Sequence, residues 1–284
     1  MKKISFSDFQ TLSSDGFRKI NNEIINSNIK WWAHSGTLIG IVRYKKIIPW
    51  DDDIDMTMSI YDFYKYKKEL IQIANNNNYY LVDRMEIRGM HICRFIYKEK
   101  FKINFENKYY INSPFIDIML SVGVKKSNKV RSIIWTATNN YLFVHNSFLN
   151  PLPFYKKKNF KVKKITKIEK TFVFTMKILL WPSIIAILLQ KKWLDKKKKT
   201  DSKILAMYYR YNTEGIVYNK NELIALPFYD EKIFVSRNYQ KELEIRFGKN
   251  WINEPPINEQ KPKHIILTPY NKKINYKIYP FIIK

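Results

Sequence analysis

The stretch Pro49-Trp50-Asp51-Asp52-Asp53-Ile54-Asp55-Met56-Thr57-Met58 constrains the fold more than any other part of the chain. Proline lacks an amide hydrogen and fixes φ, so regular structure stops at Pro49. From Asp53 onward polar and apolar residues alternate with the two-residue period of a strand. Ile54, Met56 and Met58 share one face, and Asp53, Asp55 and Thr57 share the other. The apolar face has to pack on a core. The opposite face then carries two carboxylates at i and i+2, with Cβ atoms about 6.5–7 Å apart by strand rise. One divalent cation can bridge them. Carboxylates this close repel unless a cation neutralises them, and Mg²⁺ takes a few carboxylates plus water and phosphate oxygens. An arbitrary Asp-x-Asp is more often a solvated acidic turn, so the surroundings decide.

Those surroundings read as a mixed α and β chain. Apolar residues from Phe6 to Ile29 recur at helical spacing, KWWAH over 30–34 is short and aromatic like a buried strand, and SGTLIGIVRYKK is a turn opening a helix with Ser35 or Thr37 as its cap. SIYDFYKYKKELIQIA is a second amphipathic helix stopped by four asparagines, and YYLV, HICRFIYK and FIDIML are further strands. The class is α+β, α/β-like. Asp117, inside FIDIML, needs a partner if buried, and a metal shared with Asp53 and Asp55 would supply it. Asp51 is a further ligand or supports one, whereas Asp52 points away by alternation. A helix beginning at Gly36-Thr37 offers free N–H groups and the positive end of its dipole to a phosphate. Arg43, two turns on, and Arg94 are candidate phosphate contacts, and surface ion pairs account for either as well. Trp50 either stacks on a base or packs the corner. His34 reads as a hydrogen-bonded strand histidine. His91 and Cys93 share a strand face, but without CxxC or HxxxH spacing they do not suggest zinc.

Composition narrows the class of partner. The chain has 284 residues, 45% of them hydrophobic, ample for a core. One cysteine and the absence of a signal-like apolar run near residue 1 point to a reducing, cytoplasmic setting. The net charge of +26 suggests an anionic partner, although the excess of Lys, Asn, Ile and Tyr matches what an A/T-rich coding sequence produces. Distribution is more informative: residues 156–199 hold fifteen lysines against Glu169 and Asp195.

The run SGTLIGIVRYKKIIPWDDDIDM resembles the signature of the LicD family, which includes the fukutin-related proteins and has a nucleotidyltransferase-type fold. Gly36-Thr37, Leu38-Ile39-Gly40, Arg43, the Ile48-Pro49-Trp50 corner and the acidic cluster stand in the family's order. SPFIDIML is similar to the strand bearing the family's third carboxylate. LPFYDEKIFVSRNYQKELEIRFGKNWINEPP, followed by Lys263-His264, is similar to its closing segment. Ser35 stands where many members have Gly, Tyr44 where His is usual, and Lys46 where Gly is usual. The resemblance implies a nucleotidyltransferase-type mixed sheet flanked by helices, Mg²⁺ or Mn²⁺ as cofactor, and a CDP-activated donor, CDP-choline foremost. The acceptor would be a sugar hydroxyl of a glycan or lipid-linked glycan. On this reading Asp53, Asp55 and Asp117 are catalytic and bind metal with Asp51, Asp117 also takes the acceptor's proton, and His264 contacts donor or acceptor.

Three regions are expected: a catalytic core over 1–150, a basic and apolar helical insertion over 151–200, and a segment over 201–284 completing the core. TFVFTMKILLWPSIIAILLQ (171–190) is nearly long enough to span a bilayer, but Lys177 and Pro182 interrupt it and lysines flank both ends. That favours attachment in the plane of an anionic membrane surface, on its cytoplasmic face, over a buried core helix or a crossing. No specific nucleic-acid partner is expected. Three activities fit: a phospho-alcohol transferase, a nucleotidylyltransferase on the same fold, and a non-enzymatic basic adaptor that binds membrane or nucleic acid.

Overall fold

The computed structural model describes residues 1–83, 92–123, 192–206 and 217–269, and over these the fold is mixed α and β. The 171–190 segment and His91 lie outside the described residues. Among the described residues no helix is long and apolar enough to cross a membrane.

Strand β1 (Lys2–Ser5) runs into helix α1 (Phe6–Ile25), capped reciprocally by Ser5 and Asp8. Then come β2 (Trp31–Ala33), α2 (Ser35–Tyr44) and β3 (Ile54–Ser59). The second helix expected from the sequence is two: α3 (Ile60–Lys65) and α4 (Lys67–Asn76), broken at Tyr66. Ser59 caps α3 through the Asp62 amide. Strands β4 (Tyr79–Val82), β5 (Ile92–Tyr97), β6 (Phe101–Phe105), β7 (Lys108–Asn112) and β8 (Phe115–Gly123) follow. After them are β9 (Ile204–Ala206), β10 (Val217–Asn219), β11 (Leu223–Phe228), β12 (Glu231–Ser236) and helix α5 (Tyr239–Phe247).

The main sheet is organised around β8. One edge of β8 runs parallel to β3, which pairs antiparallel with β2. The other edge takes β5 along its first half and β9 along its second, with β4 and β10 outermost. The alternation in β3 has its expected consequence: Ile54, Met56 and Met58 are buried in the principal core, with Ile116, Ile118 and Leu120 of β8 and Trp31 and Ala33 of β2. Phe17, Ile20 and Ile24 of α1, Leu38 and Ile41 of α2, and Leu70 and Ile73 of α4 close that core. Burial of an aliphatic or aromatic side chain contributes roughly 1.5–3 kcal/mol each, so this one face anchors the molecule. The opposite face carries the polar members of β3 and β8 and a small cluster of Trp32, Leu205 and Tyr218.

A second cluster joins the two ends of the described chain. Phe9 of α1, Phe101 and Ile103 of β6, Tyr110 of β7 and Ile265 of the closing segment are buried together, and the Ile111 amide donates to the Thr268 carbonyl at 2.9 Å. This docking brings residues 263–265 to the acidic loop.

Candidate functional site

Two neighbouring strands deliver the carboxylates. The parallel register of β3 and β8 sets Asp55 beside Asp117, and one oxygen from each of Asp53, Asp55 and Asp117 lies within 4.8 Å of the others. The sequence signal for that pairing is the polar interruption of two apolar strands, FIDIML and IDMTM. Burial, and then the charges of its neighbours, push Asp53 and Asp55 up to about 7. For Asp53 the strongest neighbouring charge is Asp55; for Asp55 it is Asp117. Asp51 is raised well above its ordinary range by burial and by Asp53. Asp51, Asp53 and Asp55 are thus crowded carboxylates that give up their protons less readily than in water, and with Asp117 they form an all-oxygen donor set, which fits a hard divalent cation.

The loop before β3 is fastened from three sides. Gln10 of α1 donates from Nε2 to the Asp51 carbonyl at 2.7 Å. The Asp51 amide donates to the Ile48 carbonyl at 3.0 Å. The buried Asp52 carboxylate accepts the amides of His264 at 2.9 Å and Ile265 at 2.5 Å, and faces His264 Nδ1 at 3.2 Å. Asp52 precedes β3, so strand alternation does not set its direction: one of its oxygens lies within 4.8 Å of Asp53 and His264, and it anchors the closing segment. Sequence reasoning gave it no role, and nothing in the sequence marks Gln10. His264 also stands 3.4 Å from Asp53 Oδ2 and edge-on to Phe115. Hydrogen bonding to Asp52, against the cost of burial, raises it to about 9.

Helix α2 is built differently from its sequence expectation. Its N-cap is His34, whose side chain makes no capping bond, and Ser35 takes φ +52° in the left-handed region that favours glycine. That is the position where many family members have Gly. Thr37 neither caps the helix nor faces outward: its buried hydroxyl accepts the Asp55 amide at 2.8 Å and so fixes the strand. A Cβ on Gly36 would stand 2.8 Å from Asp51 Oδ2, so a carboxylate of the chain itself lies against this helix N-terminus.

The two arginines expected at phosphate are engaged elsewhere. Arg43 sits in the last turn of α2, at the end away from Gly36, with Nη2 donating to the Asn253 carbonyl at 2.6 Å. Arg94 of β5, paired directly with Asp117 of β8, grips both of its oxygens at 2.5 Å. The partner expected for the buried Asp117 is therefore supplied by Arg94 in this structure. Trp50 packs edge-on against Tyr44, whose hydroxyl donates to Glu254. His34 is fully buried, with Nδ1 2.6 Å from Glu242 Oε1 of α5, and its amide donates to the Asp55 carbonyl. Burial and the charge of Arg246 lower its pKa, partly countered by Glu242.

A mixed sheet presenting three converging carboxylates beside a helix N-terminus is the architecture of a nucleotidyltransferase-type catalytic domain. The family model described as LicD/FKTN/FKRP, nucleotidyltransferase domain, matches residues 28–181, more than half of the chain, and the chain belongs to this family. It is also similar over 57 residues to an uncharacterized protein of Rickettsia prowazekii (strain Madrid E), at 44% identity over 20% of this chain and 21% of that protein. A counterpart from Rickettsia typhi (strain ATCC VR-144 / Wilmington) is 42% identical over 20% and 18%. The match thus spans about a fifth of the length of these relatives.

Proposed function

We propose that the protein transfers a phospho-alcohol, phosphocholine foremost, from a CDP-activated donor to a sugar hydroxyl of a cell-surface glycan or its lipid-linked precursor. The observation that carries this reading is the convergence of Asp53, Asp55 and Asp117 from two parallel strands. In the reaction the acceptor oxygen bonds to the phosphorus bearing the alcohol, the bond from that phosphorus to the CMP phosphate oxygen breaks, and CMP leaves while the acceptor hydroxyl gives up its proton. Asp53, Asp55 and Asp117, supported by Asp51, would hold Mg²⁺ or Mn²⁺. An ion held there would supply neutralisation of charge on the transferring group and a lower pKa for the attacking hydroxyl.

The chain's own residues mainly position. Thr37 and His34 hold β3 through Asp55, Asp52 and Gln10 hold the acidic loop, and His264 brings a positive charge beside Asp53 where a donor phosphate would lie. The role of Asp117 as acceptor of the hydroxyl proton requires the Arg94 fork to open first. The lysines of 156–199 would hold the enzyme at the anionic surface where a lipid-linked acceptor resides.

Incubating the purified protein with Mg²⁺, an acceptor glycan and a panel of CDP-alcohols, and measuring CMP release, tests this reading. Transfer of the nucleoside monophosphate to the acceptor would favour the nucleotidylyltransferase. No turnover with any donor, combined with membrane binding unaffected by Asp53→Asn, would favour the adaptor.

A further inference from the structure

Arg94 is more than a partner for one buried acid. Its Nε and Nη2 occupy both oxygens of Asp117, and its guanidinium lies over the Phe115 ring at 3.9 Å, so stacking and the antiparallel β5–β8 register hold the fork in place. Asp117 is at the same time one of three carboxylates whose oxygens come within 4.8 Å of one another. A dication among those oxygens and a guanidinium on the same carboxylate repel each other, and they compete for the same lone pairs.

We propose that Arg94 is a positioning residue that competes with the metal for Asp117, resting on the reading of Asp53, Asp55 and Asp117 as a metal site. Without metal the fork neutralises part of the acidic cluster and keeps Asp117 in place. On loading, the fork gives up at least one oxygen, and the guanidinium turns its freed donors toward the phosphates of the donor. The competition weakens metal affinity in the resting protein, so the ion is retained best when an anionic donor is present to receive the arginine.

Mn²⁺ binding to the full chain, followed by electron paramagnetic resonance of the free ion, tests this with wild type, Arg94→Met and Arg94→Lys, each checked for folding by its melting curve. Methionine keeps the stem and removes charge and fork; it should bind Mn²⁺ about tenfold tighter or more, as expected for deleting a nearby unit charge. Lysine keeps the charge without the fork and should fall between. A merely structural arginine gives the opposite result, since losing it would disorder Asp117 and weaken Mn²⁺ binding. Affinity in Arg94→Met equal to or weaker than wild type overturns the proposal while leaving the metal site standing. Absence of Mn²⁺ binding in wild type and Arg94→Met alike overturns the metal site itself, and the proposal with it.

Discussion

At the scale of the residue, function and stability pull Asp55 in opposite directions. Asparagine there keeps the shape and removes the charge, so turnover should fall about 100-fold or more while the fold persists, as steady-state CMP release would show. The same change should protect the metal-free protein. Asp55 is raised to about 7 from 3.8, so between those values the folded chain holds a proton that the unfolded chain has lost, and stability drains away as pH rises through that window. The melting temperature of Asp55→Asn should therefore gain on wild type between about pH 4 and pH 7, and a gap that narrows there would contradict the crowding. Asp52 has the reverse character. Asp52→Ala strands the amides of His264 and Ile265 and should cost about 1–3 kcal/mol for each buried donor left unpaired, measured by denaturant unfolding. These two neighbours differ because one shares its surroundings with other carboxylates and the other is surrounded by N–H donors. The sequence shows both as letters in one acidic run. Only the docking of His264 and Ile265, 212 and 213 positions further along the chain, separates them.

Among the elements, what was legible is the periodicity of single segments. The helix over 6–25, the strand over 54–59 and the carboxylate-bearing strand from Phe115 all follow from local pattern, because each needs only an apolar face and a stop signal. The break at Tyr66 and the hairpins β6–β7 and β11–β12 do not: both hairpins are local, but their two-residue turns, Glu106-Asn107 and Tyr229-Asp230, lack the glycine that marks such a turn in a sequence. Helix α2 shows the limit clearly. Its start was readable, yet its cap, the inward Thr37 and the destination of Arg43 depend on how β3 and the closing segment pack against it. Gly40 makes that packing testable. A Cβ there would come within 2.6 Å of the Lys46 carbonyl and 2.9 Å of the Ile48 amide, both backbone atoms of the corner leading to the aspartates. Alanine is normally favoured over glycine inside a helix by about 1 kcal/mol. Gly40→Ala should nevertheless lower the melting temperature and impair turnover together, whereas a stabilised variant would mean that the corner does not rest on α2.

For the whole molecule, the +26 charge and the acidic cluster are two separable features. If the lysines of 156–199 attach the protein to membranes, it should float with anionic liposomes and be released at high salt, independently of Asp53. Salt-resistant flotation would assign the attachment to apolar insertion alone. The catalytic account is independent of that outcome and depends on the junction of β3 and β8. Its most direct measurement is the anomalous scattering from a crystal soaked in Mn²⁺. The account predicts one or two peaks bounded by the carboxylate oxygens of Asp53, Asp55 and Asp117, with Arg94 withdrawn from at least one Asp117 oxygen. Absence of any peak there, with the Arg94 fork closed on Asp117 at saturating Mn²⁺, would contradict it.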